Sequence, residues 1–177
     1  MKRILFLAPI GLFVVLVGVF FAGLHRDPSV LPSMLIGKPL PAFSVPAVRE
    51  GDRGVTHADF GGEPMLLNVF ASTCGPCLIE HPLFMQLRRD GMKIVGLDWK
   101  EDPAAGAAWL AKHGDPYELA GSDANGRAGI DLGVSGTPET FVIDRQGKVR
   151  YRHVGAITPE DWEKTVKPLL QRLRAES

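Results

Sequence analysis

The chain's two cysteines stand three apart, as Cys74-Gly75-Pro76-Cys77, where an apolar stretch (Met65–Ala71) gives way to a helical one (Gly75–Arg89). A strand that turns directly into a helix here places the first sulfur over the helix N-terminus. Unpaired backbone N–H groups and the macrodipole favour a thiolate there. The second thiol lies one turn further on, so the pair can close a disulfide and reopen it. This arrangement points to thiol–disulfide exchange.

Two plainer uses of the pair fit less well. A structural zinc site needs four ligands, and there is no second cysteine pair and no closely spaced histidine pair among His25, His57, His81, His113 and His153. A structural staple closing so short a loop removes little chain entropy from the unfolded state. No metal and no cofactor beyond the dithiol is expected.

The 177 residues suit one domain with an appendage; 45% are hydrophobic and 23% charged, and the formal net charge is zero. Without a basic cluster, nucleic acid is not an expected partner. The appendage is the run Ile4–Leu24, 21 residues without a charge, preceded by Lys2 and Arg3. That length spans a bilayer core as a helix, and the preceding cations keep the short N-terminus cytoplasmic. A cleaved signal has a shorter apolar region and small residues before its cut, whereas Phe20 and Phe21 occupy those places here. The expectation is an uncleaved transmembrane anchor at residues 1–24, a tether at 25–36 and an exported domain at 37–177. In a bacterium that means a single pass through the inner membrane with the domain in the periplasm.

From Gly37 on, strand and helix patterns alternate. Strands are expected at Ala42–Val48, Met65–Ala71, Met92–Asp98, Thr140–Asp144 and Val149–Val154. Helices are expected at Gly75–Arg89, Pro103–His113 and Ala124–Leu132, and from Pro159, which Thr158 caps. Such interleaving, ending in a hairpin, gives an α/β domain with a mixed sheet flanked by helices. Glu80 follows Cys77 by three residues and shares its helix face. A partly desolvated carboxylate there would take a proton from the second thiol; a solvated surface glutamate is the plainer alternative. His81 and His153 read as surface or edge residues, and Trp99, Trp109 and Trp162 as packing residues.

Together, the strand–Cys-Gly-Pro-Cys–helix unit, Pro82 inside the helix and Pro138 before a strand resemble the thioredoxin superfamily. More narrowly the chain resembles the DsbE/CcmG family, membrane-anchored thiol:disulfide interchange proteins of cytochrome c biogenesis. The resemblance covers most of residues 37–170. Its discriminating runs are Pro138-Glu139-Thr140-Phe141 and Tyr151-Arg152-His153-Val154-Gly155; Gly37–Phe43, Leu67–Ser72 and Cys77–Pro82 also match.

The resemblance implies a thioredoxin-like fold and a catalytic set of Cys74, Cys77, Glu80, Glu139 and Pro138, the proline in cis. It implies that substrate is met by Thr73, Gly75, Pro76 and the backbone of Thr137. It further implies that the chain reduces cysteines of apocytochrome c or of an assembly partner, drawing electrons from a membrane thiol donor of the DsbD/CcdA type. Asn68 stands where ordinary thioredoxins keep a buried aspartate, so the proton acceptor falls to Glu80 or Glu139. Thr73 and Phe70 replace common tryptophans, and loss of the ring at 73 is expected to expose Cys74. A broader periplasmic reductase serving copper-site cysteines is one alternative. A copper metallochaperone is another, although such chaperones use a spacing one residue longer and a distal histidine.

Overall fold

A computed structural model describes residues 2–24 and 34–176, with side chains inside the first helix described at 9 and 11–21. The chain divides into two units, Met1–Val30 and Leu31–Ser177. The first holds helix α1 (Lys2–Leu24), whose Leu12, Phe13, Val19, Phe20 and Phe21 are exposed. Among the described residues no helix is long and apolar enough to cross a membrane. Most of the expected tether, residues 25–33, lies outside the described residues.

The second unit is built on a five-stranded sheet. Its strands, in chain order, are β3 (Met65–Phe70), β4 (Ile94–Trp99), β5 (Leu119–Asp123), β6 (Glu139–Ile143) and β7 (Val149–Val154), and they lie side by side as β5-β4-β3-β6-β7. β3, β4 and β5 run parallel, while β6 and β7 are antiparallel additions. β1 (Ser44–Val45) and β2 (Val55–Thr56) form a separate antiparallel pair. The strand expected over Ala42–Val48 is therefore cut to two residues, because Pro41 and Pro46 lack the N–H a longer ladder needs.

Every residue of β3 is buried, as a central strand covered on both faces requires. Leu66 and Phe70 face one core, with Phe84 and Leu87 of α2 (Gly75–Arg89), Trp109 and Leu110 of α3 (Pro103–His113), and the C-terminal helical segment. Met65, Leu67 and Val69 face the other, with Phe43, Val45 and Val55, and with Ala128 and Leu132 of α4 (Arg127–Leu132). Burying each large side chain contributes about 1.5–3 kcal/mol, enough to set which face of each strand turns inward.

The C-terminal segment runs through α5 (Pro159–Asp161), a π-helical stretch (Trp162–Val166) and α6 (Lys167–Ala175). Thr158 and Asp161 close a capping box at its start. β5 was not anticipated. Its Ala-Gly-Ser core has weak strand preference, and β4 imposes the extended conformation by parallel pairing. Gly121 is required there, since a Cβ would lie 2.5 Å from a Val45 methyl. His81 and His153 are both buried rather than superficial: His81 Nε2 meets the carbonyls of His113 and Gly114, and His153 Nε2 that of Ala156.

Candidate active site

The chain leaves β3 at Phe70, passes Ala71–Thr73 and enters α2 with Cys74 as its N-cap. Cys74 and Cys77 are joined by a disulfide, S–S 2.07 Å, and the Cys77 backbone N–H donates to Cys74 Sγ at 3.1 Å. Gly75 and Pro76 fit the first turn, where an N–H has no helical partner to lose. Cys74 is 8% exposed and Cys77 2%, while Thr73, Gly75 and Pro76 around them are exposed. Replacing the usual tryptophan with Thr73 thus leaves only an edge of Cys74 open, not the whole side chain. Cys74 is thus the less buried of the two residues.

Glu80 lies behind the disulfide on the inner face of α2 and is 1% exposed, not solvated. Asn68 Nδ2 donates to its Oε1 at 2.9 Å, and the Ile157 backbone N–H donates to its Oε2 at 2.9 Å. Asn68 is itself held by the Tyr117 hydroxyl, which donates to Oδ1, and its Nδ2 also reaches Thr140 Oγ1. Burial pushes the Glu80 carboxyl up to about 7, against the pull of its two donors. A carboxyl so placed exchanges protons near neutral pH.

Glu139 opens β6 beside Val69, so the preceding Thr137-Pro138, joined by a cis bond, continue past the end of β3 toward the segment that delivers Cys74. Pro138 is buried and its carbonyl accepts from Gly155 N–H; Thr137 is half-exposed just ahead of the ladder. The Glu139 carboxylate is fully buried and crowded with donors. Arg152 Nε reaches Oε2 at 2.8 Å and Arg152 Nη2 reaches Oε1 at 2.9 Å. The Ser135 hydroxyl and the N–H groups of Ser135 and Gly136 also donate to Oε1. Glu80 and Glu139, equivalent in the sequence, thus differ sharply. Glu80 has two neutral donors and no cation, whereas Glu139 is tied to a guanidinium and holds the 135–138 loop. Arg152 is not among the residues singled out by the sequence, although an opposite charge diagonal to Glu139 across the hairpin is a usable signal.

Among the described residues no cluster of three or more His, Cys, Asp or Glu side chains is placed to hold a metal ion. The arrangement is suited to disulfide exchange: a reachable N-cap sulfur, a buried second sulfur and a buried acid on the same helix face.

The Redoxin family model matches residues 35–170. The thiol:disulfide interchange protein DsbE of Pseudomonas aeruginosa is 45% identical over 173 residues, which cover 98% of this chain and 96% of that protein. The chain belongs to the DsbE family. DsbE of Escherichia coli K12 is 39% identical over 100% of this chain and 99% of its own length. The crystal structure of a DsbE-type protein of Chlorobium tepidum superposes with a TM-score of 0.66 at 30% identity, covering 76% of this chain and 95% of that one. The fold of this DsbE-family chain is thioredoxin-like, and the chain is a thiol–disulfide oxidoreductase.

The Arg152–Glu139 pair gives a stability prediction. Arg152→Met strands a buried carboxylate and is expected to cost about 3–5 kcal/mol in urea unfolding. Adding Glu139→Gln should restore a large part of that loss, because the stranded charge is then gone. Equal instability of single and double variants would show that the guanidinium acts through packing instead.

Proposed function

We propose that this protein is a periplasmic reductant that keeps the heme-binding cysteines of apocytochrome c, or of an assembly partner carrying it, in the thiol form. The observation behind this reading is the joining of the two runs that set the chain apart from ordinary thioredoxins. Pro138–Phe141 and Tyr151–Gly155 span the start of β6 and the end of its paired strand β7, and Glu139, opposite Val69 of the strand that leads to the dithiol, is locked to Arg152.

The catalytic cycle conserves atoms and electrons. The reduced Cys74 thiolate attacks a substrate disulfide, forming a mixed disulfide and releasing one substrate thiolate. Cys77 passes its proton to Glu80 and attacks Cys74 Sγ, which frees the second substrate thiolate and leaves the Cys74–Cys77 disulfide. Two electrons have then left the protein, and a membrane thiol donor of the DsbD/CcdA type returns them. Pro138 and the Thr137 backbone flank the substrate strand, with Thr73, Gly75 and Pro76 on its other side. Glu139 holds that loop in place. A reductant is required because an oxidising compartment otherwise closes the Cys-x-x-Cys pair before heme is attached.

Residues 1–24 serve in this reading as an inner-membrane anchor and 25–36 as a tether carrying the domain at 37–177. The charge-free run Ile4–Leu24 behind Lys2 and Arg3 supports this, as do the exposed apolar side chains of α1.

Deletion of the gene is expected to abolish holocytochrome c, and a small-molecule thiol added to the medium should restore it at least in part. Normal cytochrome c alongside a failure of copper-oxidase assembly would overturn this substrate assignment and favour the copper-site cysteines.

A further inference from the structure

One buried acid has no part in the exchange cycle. Asp98 stands on β4 level with Phe70 of β3 and Ser122 of β5, on the sheet face covered by α2 and α3. It is fully buried, and no donor reaches either of its carboxyl oxygens. α3 presses directly on it, since a Cβ on Gly106 would lie 2.3 Å from Asp98 Oδ2. The neighbour that adds most to burial in opposing its ionisation is a second carboxyl, that of Glu101, three residues on. Two carboxyl groups bond to each other only when a proton lies between them.

Glu101 reaches in turn to the active-site segment. Its Oε1 accepts from the Ser72 backbone N–H at 2.6 Å and its Oε2 from the Ser72 hydroxyl at 2.5 Å. Ser72 is two residues ahead of Cys74, in the four-residue stretch between β3 and α2. Glu101 thus stands between the buried Asp98 carboxyl, whose ionisation it opposes, and the backbone that carries the reactive sulfur.

The titratable groups acting on Asp98 give it no compensating cation. Glu101 and Asp102 follow β4, Tyr117 precedes β5, and the nearby Lys100 turns its Nζ onto the Trp99 ring at 4.2 Å. Burial first, then Glu101 and Asp102, push the Asp98 carboxyl up to about 9. Burial opposes ionisation of Glu101 as well, yet its bonds to Asp98 and Ser72 bring its carboxyl below the usual range. The proton therefore stays on Asp98 through neutral pH, and Glu101 keeps the charge that Ser72 grips.

We infer that Asp98 is a positioning residue whose carboxylic acid proton bridges to Glu101 and so fixes Ser72 and the segment presenting Cys74. The inference rests on thiol exchange at Cys74 and not on the identity of the substrate, so a failed cytochrome assignment leaves it standing.

The test uses the full-length chain in detergent and an uncharged small-molecule disulfide. Native Asp98 keeps a proton that the unfolded chain releases above about pH 4. Wild-type stability must therefore fall relative to Asp98→Asn as pH rises toward 9. The ratio of their unfolding constants, from urea titrations, should change about tenfold per pH unit between roughly pH 5 and 9, in the variant's favour. The exchange rate per Cys74 thiolate should drop several-fold in wild type above about pH 9, and Asp98→Asn should lack that step. Glu101→Gln supplies an amide donor to Asp98, which favours its ionised form, and should move the step to lower pH by about a unit or more. A merely structural Asp98 gives parallel stability curves and an alkaline step that survives in Asp98→Asn. Either result overturns the inference.

Discussion

Cys74→Ser is expected to reduce disulfide exchange to the uncatalysed background. Cys77→Ser should keep the first attack and accumulate a mixed disulfide with substrate, visible as a mass adduct on non-reducing analysis. The asymmetry follows from position. Cys74 caps α2, is the less buried of the two residues and accepts the Cys77 backbone N–H at its sulfur, so in the reduced state helix terminus and donor both stabilise its thiolate. Cys77 is one turn deeper and attacks only Cys74 Sγ, once that sulfur is bonded to substrate. Losing the disulfide should cost no more than about 2 kcal/mol, because a loop this short releases little unfolded-state entropy. A loss of exchange in Cys74→Ser thus cannot be blamed on unfolding, and circular dichroism provides the check. Equal adduct formation by both variants would contradict the assigned order of attack.

The parts of this site legible in the sequence are those set by local chemistry. Helix α2 begins and ends where Gly75-Pro76 and Arg88-Arg89 place it, because proline suits a first turn and arginines suit a last one. β3 is readable because a central strand must be apolar throughout. What escaped depends on residues far apart in the chain. Glu80 reads as a surface glutamate until Asn68 and Ile157, 77 residues further on, come in to supply its donors. Glu139 is named by the resemblance alone, and its pairing with Arg152 shows only once the hairpin brings the two together. Asp98 looks like the polar end of a strand, and only the closure of α3 over Gly106 shows it to be buried. β5 escaped because its extended form comes from its neighbour, not from its own residues. Each of these is a polar or small residue whose environment is fixed by tertiary packing.

In the proposed cycle, the contrast between the two glutamates makes Glu80 the acid expected to set the pH dependence of resolution. A general base must be free to take a proton, and Glu80 is held near neutrality by burial while its donors are an amide and a backbone N–H. In wild type, resolution of a mixed disulfide by Cys77 should climb through about pH 7 and then level off. Glu80→Gln should slow that step by about 10²-fold or more, the usual contribution of a positioned base. Its rate should keep rising with pH, since only hydroxide and solvent remain to take the proton.

Stability provides an independent reading of the same group. The folded protein keeps a proton on Glu80 up to about pH 7, and the unfolded chain loses it near 4.5. Wild-type stability must then decline between those values relative to Glu80→Gln and run parallel above them, a change of about 3 kcal/mol. Part of the variant's advantage is lost because glutamine has one acceptor where the carboxylate had two. Either Asn68 Nδ2 or the Ile157 N–H then faces an amide NH₂, a cost of about 1–3 kcal/mol that does not vary with pH. The pH-dependent part and the constant part are therefore separable in one set of urea titrations. A resolution rate that loses its inflection near pH 7 in Glu80→Gln but keeps it in Glu139→Gln would assign the proton to Glu80, and the reverse pattern would assign it to Glu139.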